Sequence, residues 1–389
     1  MEYKNYYSRV CIRMKSLGIG LVGYGAIGKI HALAYRSLSS YYRLPVQVKL
    51  VGVCTSSKKT AKRANQEHNF EFYCSDYHYL LQRDDINIID CCVPNYLHKN
   101  IILDAISYGK HVYCEKPLAR NVEEAEQIVK AVYNSKVKHQ IAFNYRFVPA
   151  IMRAKQLINQ GFLGEIFSFQ GEYLHSGYVD LDRPMSWRLR KEEAGGGALI
   201  DLGIHVIDLI RYLLGDFKSV LAVNETLIKS RHLENGSGCE NVSVDDISIL
   251  LLRLEDGGVG TIEASRVATG TNDDLKIKIY GSKGAILFNL MEPNWLYSYD
   301  ATEKVGQLGG SRGFKRIETV QRYPDPNIFP YPKSTVGWVR FHIAGQYEFI
   351  RSIAENLPTK PSFKDGLAAQ RVVEAAYLSS CKKKWINIK

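Results

Sequence analysis

Two residues able to exchange protons stand four apart in the stretch GGGALIDLGIHVIDLI, residues 195–210: Asp201 and His205. On a helix this spacing places both on one face, a turn apart. A carboxylate and an imidazole so placed can form a structural ion pair, ligate a metal, or serve as acid–base groups of an enzyme. The stretch alone leaves all three open. Another reactive group is Lys116, in VYCEKPLA, residues 112–119, which reads as the end of a strand. A residue before proline is held extended. Ligands of open α/β sheets bind outside the carboxyl ends of the strands, so Glu115, Lys116 and Pro117 point into that crevice. A lysine there can hydrogen-bond a substrate oxygen and stabilise an alkoxide, although EKP is also an ordinary surface turn.

Such groups need elements to position them, and the alternation of strand and helix signals from Leu17 supplies these. Apolar runs at LGIGLVGYG, VQVKLVGVC, INIIDCCVP, KHVYCEKP and KHQIAFNYR alternate with helical patterns such as AIGKIHALAYRSLS and NVEEAEQIVKAVYNS. Near-continuous apolar strands separated by helices predict a parallel sheet covered on both faces, here over residues 14–143. Residues 144–389 change pattern: EIFSFQGEY, DISILLLRL, GVGTIEASRV and LKIKIYG are strands with few helices between them, and a hairpin is expected around Asp256-Gly257. The fold class is therefore α/β, with a Rossmann domain followed by an α+β domain bearing a large, open, mostly antiparallel sheet. The tail GLAAQRVVEAAYLSSCKKKW closes the chain as an amphipathic helix, and residues 1–13 read as a loose extension.

The first strand runs into GYGAIG, residues 23–28, which fits G-x-G-x-x-G at the start of a βαβ unit. Gly23 permits the turn, Gly25 lets the backbone approach a pyrophosphate, and Gly28 lets helix and strand pack. Ala26 and Ile27 open the helix whose amides face the phosphates. The second strand ends in CTSSKK, where NAD sites usually carry an acid that binds the ribose. None is present; Thr55, Ser56 and Lys58 offer hydroxyls and a cation that suit a 2′-phosphate. The coenzyme is thus NAD(P), with NADP favoured over NAD.

The bulk properties exclude several classes. A 46% hydrophobic and 23% charged chain is ordinary for a globular protein. No apolar run reaches the ~18 residues of a membrane span, and the polar N-terminus lacks the core of a secretory signal. The formal charge of +11 comes from lysines and arginines scattered without a nucleic-acid-binding signature, so attraction for an anionic ligand is the reading retained. Eight cysteines without a CxxC pair read as buried hydrophobes in a reducing compartment, hence the cytoplasm.

In order, GLVGYGAIGKIH, CVPNYLHKN, VYCEKPLA, FNYRF, WRLRKEEAGGGALIDLGIHVIDL and IKIYGSKGAI resemble the Gfo/Idh/MocA family over residues 15–386. The resemblance implies a Rossmann domain followed by an open antiparallel sheet, and sugar dehydrogenase chemistry. It assigns Lys116 a place between nicotinamide and substrate, with a cis Lys116–Pro117 bond. It makes His205 the proton acceptor or donor, with Asp201 near the substrate. Pro94, Asn95 and His98 match the segment bordering the coenzyme near its nicotinamide, beside Glu115 and Lys116. Tyr145, Arg146, Trp187 and Arg188 match positions near the substrate. The family is commonly a homodimer or homotetramer.

The expected reaction is reversible hydride transfer between nicotinamide and a secondary hydroxyl or ketone of a sugar, anhydrosugar or cyclic polyol. Either His205 or Lys116 takes the proton. Two rivals are an NAD-dependent glycoside hydrolase of the same fold and a catalytically silent sugar- or nucleotide-sensing regulator. No metal is expected, for no further cluster completes a ligand set around Asp201 and His205. His31 reads as an ordinary helix-face residue, Asp208 as the partner of Arg211, and Gly195, Gly196 and Gly197 as bare backbone close to substrate or coenzyme.

Overall fold

A computed structural model describes residues 16–389; the extension expected at residues 1–13 lies outside the described residues. The first unit is built from β1 (Ser16–Val22), α1 (Ala26–Tyr41), β2 (Gln47–Cys54), α2 (Lys58–His68), β3 (Phe72–Cys74), α3 (His78–Leu81), β4 (Ile88–Cys91), α4 (Asn95–Ser107), β5 (His111–Cys114), α5 (Val122–Tyr133) and β6 (His139–Ile141). Its six strands are parallel in the order β3-β2-β1-β4-β5-β6. The order reverses between β1 and β4, and the crevice above their carboxyl ends is where such sheets bind ligands. All four residues of β4 are buried, Asp90 among them, as expected of a strand in the middle of a parallel sheet covered on both faces.

The chain then forms α6 (Pro149–Asn159), β7 (Ile166–Leu174), α7 (Lys191–Ala194), a π-helical turn at Leu199–Gly203 that runs into α8 (Ile204–Leu214), and β8 (Phe217–Glu225). A short pair, β9 (Ser230–His232) and β10 (Cys239–Asn241), precedes β11 (Ile247–Leu254), β12 (Val259–Ser265), β13 (Asp274–Gly281), β14 (Gly284–Asn289), β15 (Trp295–Asp300) and β16 (Lys315–Glu318). The chain ends with α9 (Trp338–Ala354), α10 (Phe363–Lys382) and β17 (Ile386–Asn387). Nine strands make one sheet in the order β16-β15-β14-β13-β7-β12-β11-β8-β17, antiparallel in every pair except β12 with β7. The hairpin at Asp256 joins β11 to β12, and Gly257, at φ +95°, supplies the left-handed turn residue. Along β11 burial alternates, with Leu250 and Leu252 inward and Ile249 and Leu251 outward.

Two sequence expectations are corrected here. The run KHQIAFNYR is a strand only through Ile141, and Asn144–Phe147 is a 3-10 turn. The helix α9 had not been anticipated. Its Ile343, Tyr347, Phe349 and Ile350 join Ile19, Tyr35, Leu38 and Tyr113 in one cluster, so late sequence returns to cover the first sheet. No helix among the described residues is long and apolar enough to cross a membrane.

Candidate active site

A crevice of about 830 Å³ runs from the carboxyl ends of β1, β2 and β4 to the inner face of the second sheet. The glycine loop forms its floor. Gly23 has φ +94°, and a Cβ there would meet the Cys92 carbonyl oxygen at 2.3 Å. A Cβ on Gly28 would strike the Gly23 carbonyl oxygen at 2.3 Å, so this residue packs helix on strand. Gly25 faces open space, and Gly25, Ala26 and Ile27 line the crevice with the start of α1. This bare backbone at a sixteen-residue helix start fits a dinucleotide pyrophosphate. Thr55, Ser56, Thr60, Arg63, Ser75 and Tyr77 wall the far end, while Cys92, Pro94, Asn95 and Glu115 line the floor toward Lys116.

At the other end the reactive groups converge. The Lys116–Pro117 bond is cis, and Lys116 Nζ donates to the Asp201 backbone oxygen at 2.8 Å and to its Oδ1 at 2.9 Å. Arg266, just beyond β12, donates from Nη2 to Asp201 Oδ2 at 3.0 Å. Burial works against a charge on Asp201, but Lys116, Arg266 and Arg188 outweigh it and hold this carboxyl well below the usual carboxylate range. His205 is 6% exposed and its Nδ1 has no protein partner among the described residues. Burial, followed by the neighbouring Lys116 charge, pushes His205 well below its ordinary value, so the imidazole is neutral. Its ring sits 4.8 Å from that of Tyr145, centroid to centroid. The Tyr145 and Tyr173 hydroxyls hydrogen-bond at 2.7 Å, and Tyr173 donates to Asp273 Oδ1 at 2.6 Å. All three residues line the crevice.

The family description "Oxidoreductase family, NAD-binding Rossmann fold" matches residues 17–143, and "GFO/IDH/MocA C-terminal domain" matches residues 151–287. Levoglucosan dehydrogenase of Pseudarthrobacter phenanthrenivorans is 35% identical over 392 residues, covering 96% of this chain and 99% of that protein. This chain belongs to the Gfo/Idh/MocA oxidoreductases. Inositol 2-dehydrogenase of Rhizobium meliloti is 26% identical over 370 residues, covering 95% and 98%. A solved structure of levoglucosan dehydrogenase in complex with NADH and levoglucosan superposes with a TM-score of 0.92 at 35% identity, covering 96% of this chain and 100% of that one. The chain is thus an NAD-binding oxidoreductase of this family, with a parallel Rossmann sheet followed by a large, mostly antiparallel one.

Among the residues expected to serve this oxidoreductase site, Lys116, Asp201, His205, Tyr145, Trp187 and Arg188 all face the crevice. Asp201 lies in the π-helical turn and His205 in α8, and their side chains reach different partners. No third His, Cys, Asp or Glu side chain converges on them among the described residues.

Four placements correct the sequence reading. Arg146 does not reach the crevice: it is 8% exposed, and binds Asp208 at 2.8 and 2.5 Å and Asp365 at 2.9 Å. Asp208 therefore pairs with Arg146 rather than Arg211, which turns to Asp216. His98 is buried behind the wall, spanning the carbonyls of Pro117 at 2.8 Å and Val93 at 2.9 Å. Lys58 heads α2 beside the crevice without lining it; at that end of the crevice Arg63 does so. The glycines at 195–197 also serve protein packing, since added Cβ atoms would strike Arg120 O at 2.2 Å, Tyr377 Oη at 2.1 Å and Asp245 O at 1.8 Å.

The sequence reading missed Asn144, Tyr173, Arg266, Asp273, Trp338 and His342, all of which line the crevice. Trp338 and His342 could have been found, for they stand four apart on the amphipathic α9. Arg266 carries no local signal that separates it from the chain's other arginines.

Proposed function

We propose that this oxidoreductase oxidises a secondary hydroxyl of a sugar, anhydrosugar or cyclic polyol, reversibly. The observation that carries the reading is the meeting, in one crevice, of the glycine loop with Lys116, Asp201 and a neutral His205. The bound nicotinamide supplies the hydride acceptor. Lys116 spends two of its three N–H groups on Asp201, leaving the third for the substrate oxygen. Asp201, itself held by Arg266, fixes the direction of that donor. His205 is neutral and its Nδ1 is sealed inside the protein, so the other ring nitrogen, Nε2, is the one that accepts the hydroxyl proton from the crevice. The aromatic wall of Tyr145, Tyr173, Trp187 and Trp338 supports a carbohydrate ring, and Asp273 offers it an acceptor.

Identity to levoglucosan dehydrogenase of 35% over nearly the whole chain makes anhydropyranoses the first substrates to try. The coenzyme we favour is NADP. An arginine, Arg63, lines the end of the crevice with Thr55 and Ser56, and no carboxylate among the described residues lines it there to bind a ribose hydroxyl. The NADH-bound relative argues the other way. Outward apolar residues on the large sheet, among them Phe167, Val223, Ile249 and Val259, support a homodimer or homotetramer. Free cysteines facing each other in register, Cys54 with Cys74 and Cys91 with Cys114, support the cytoplasm.

A panel of anhydrosugars, pyranoses and inositols, each with NAD and NADP and followed by reduced-nicotinamide absorbance, tests this. Turnover with net reduction is expected, with higher kcat/KM for NADP. Glycoside cleavage without net reduction would replace the reading with hydrolysis, binding without turnover would favour the sensing regulator, and better kcat/KM with NAD would remove the coenzyme preference.

A further inference from the structure

We infer that His31 is a positioning residue for Lys116, acting through Asp90 and Glu115. This inference rests on the role proposed above for Lys116. His31 projects from α1, nowhere near a helix face open to solvent: it is 0% exposed and therefore cannot touch substrate. Its Nδ1 lies 3.0 Å from both Asp90 oxygens, at the end of β4, and its Nε2 lies 3.1 Å from Glu115 Oε1, just beyond β5. Glu115 Oε2 in turn accepts the Lys116 backbone N–H at 3.2 Å. One imidazole thus ties together two neighbouring strand ends of the parallel sheet, and the second of them carries Lys116.

Every side of the ring is accounted for. The β4 end contributes Asp90 and Cys92, whose Sγ is 3.1 Å from Nδ1 and 3.2 Å from Asp90 Oδ1. The Tyr113 ring of β5 stands 5.4 Å away and the His342 ring of α9 5.5 Å away, centroid to centroid. Tyr35 lies one turn along α1 and is buried at the same cluster. Burial alone would neutralise His31, but Asp90 and then Glu115 overcome it and raise it to about 10. His342 has no carboxylate hydrogen-bond partner among the described residues and is pushed down to about 3 by burial and by His31. A doubly donating His31 satisfies both carboxylates, whereas a neutral ring would leave one of them facing a lone pair. Without its cation two carboxylates would share the cavity under Lys116, and the cheapest relief is movement or protonation of Glu115.

The experiment pairs His31→Gln with the double variant His31→Gln/Asp90→Asn, which removes the surplus negative charge. The expected result is a kcat for His31→Gln lower by on the order of 10²-fold, as for a misplaced catalytic group, with coenzyme Kd little changed. The double variant should recover a substantial part of that kcat. A second measurement does not need turnover: nitrogen NMR of the wild-type holoenzyme at pH 8, with His31→Gln for assignment, should find both ring nitrogens of His31 protonated. A neutral His31 overturns the inference. So does a folded His31→Gln with wild-type kcat, or a loss that falls equally on coenzyme Kd and melting temperature without rescue. Should His31→Gln fail to fold, Glu115→Gln keeps the test, since it leaves His31 paired with Asp90; unchanged kcat there also overturns the inference. An enzyme inert toward every polyol removes the Lys116 reading instead, and the NMR result still decides the state of the clamp.

Discussion

Replacing His205 by asparagine isolates proton transfer from the rest of the site. No hydrogen bond joins His205 to Lys116 or Asp201: Lys116 Nζ is held by Asp201 alone, and Asp201 by Lys116 and Arg266. Lys116, the donor proposed for the substrate oxygen, therefore survives the substitution. The unpartnered Nδ1 also means that no protein group is orphaned when the ring is removed. General acid–base groups contribute roughly 10²–10⁴-fold, most when their pKa lies near the working pH. His205 sits well below its ordinary value, which places its contribution in the lower half of that range. The expected loss in kcat is about 10²–10³-fold, or ~3–4 kcal/mol of barrier at 1.36 kcal/mol per decade. Coenzyme Kd should stay within about threefold, as the ring lies at the substrate end. The pH dependence gives a second handle. A histidine accepts a proton only when neutral, so wild-type oxidation should be level around neutrality and fall as the pH drops through the depressed His205 value, below 6.5. The variant should lose that acid limb. Initial rates at saturating substrate and coenzyme, followed by reduced-nicotinamide absorbance from neutrality down to the lowest pH at which the enzyme stays folded, read both effects. A variant within about threefold of wild type, or one that keeps the acid limb, refutes His205 as the acceptor.

Three further outcomes follow from the geometry. Arg146→Met strands Asp208, which is 1% exposed, and should cost about 3–5 kcal/mol in urea unfolding while leaving substrate KM unchanged; a raised KM with full stability would return Arg146 to the substrate site. Gly25 has φ −74° and open space where its Cβ would project, so Gly25→Val should fold normally yet weaken coenzyme binding by about tenfold or more; unchanged Kd by fluorescence titration would show that the pyrophosphate lies elsewhere. His31 is raised to about 10 from an ordinary 6.5, so its contribution to stability is complete below pH 6.5 and disappears as the pH rises through 10. Urea midpoints at pH 6.5 and 9.5 should therefore fall more steeply for wild type than for His31→Gln, and parallel slopes would contradict this.

How much of the site could be read in advance depended on whether a residue's role was local. The three glycines of GYGAIG follow from backbone geometry within one strand–turn–helix, and each meets the steric environment the motif requires. Lys116 follows from its place before a proline at a strand end. Arg146 misled because adjacency to Tyr145 says nothing of direction: in the 3-10 turn at Asn144–Phe147 one side chain turns to the crevice and the next to Asp208 and Asp365. Arg266 and Asp273 were out of reach because their meaning comes from the pairing of β12 and β13 with β7, which brings residues about 100 positions apart side by side. The helix α9 was legible in period, but its destination on the first sheet was a long-range fact.

Three of the four buried histidines make the same point in electrostatic terms. His31, His205 and His342 are each 6% exposed or less, so burial pushes all three toward neutrality. Only His31 has carboxylates at both nitrogens, and only His31 is raised. From it runs a series of alternating charges, Asp90, His31, Glu115, Lys116, Asp201 and Arg266, joined by contacts of 2.9–3.2 Å, the one between Glu115 and Lys116 passing through the Lys116 backbone N–H. Each member is neutralised by its neighbours, so the row can be buried without net charge. His205 stands beside the row without belonging to it. That position, next to Lys116 and without a carboxylate hydrogen bond among the described residues, leaves His205 neutral, as the role proposed for it requires. A carboxylate placed against His205 Nδ1 would draw the ring into the series and raise its pKa, leaving the site with two cations and no acceptor.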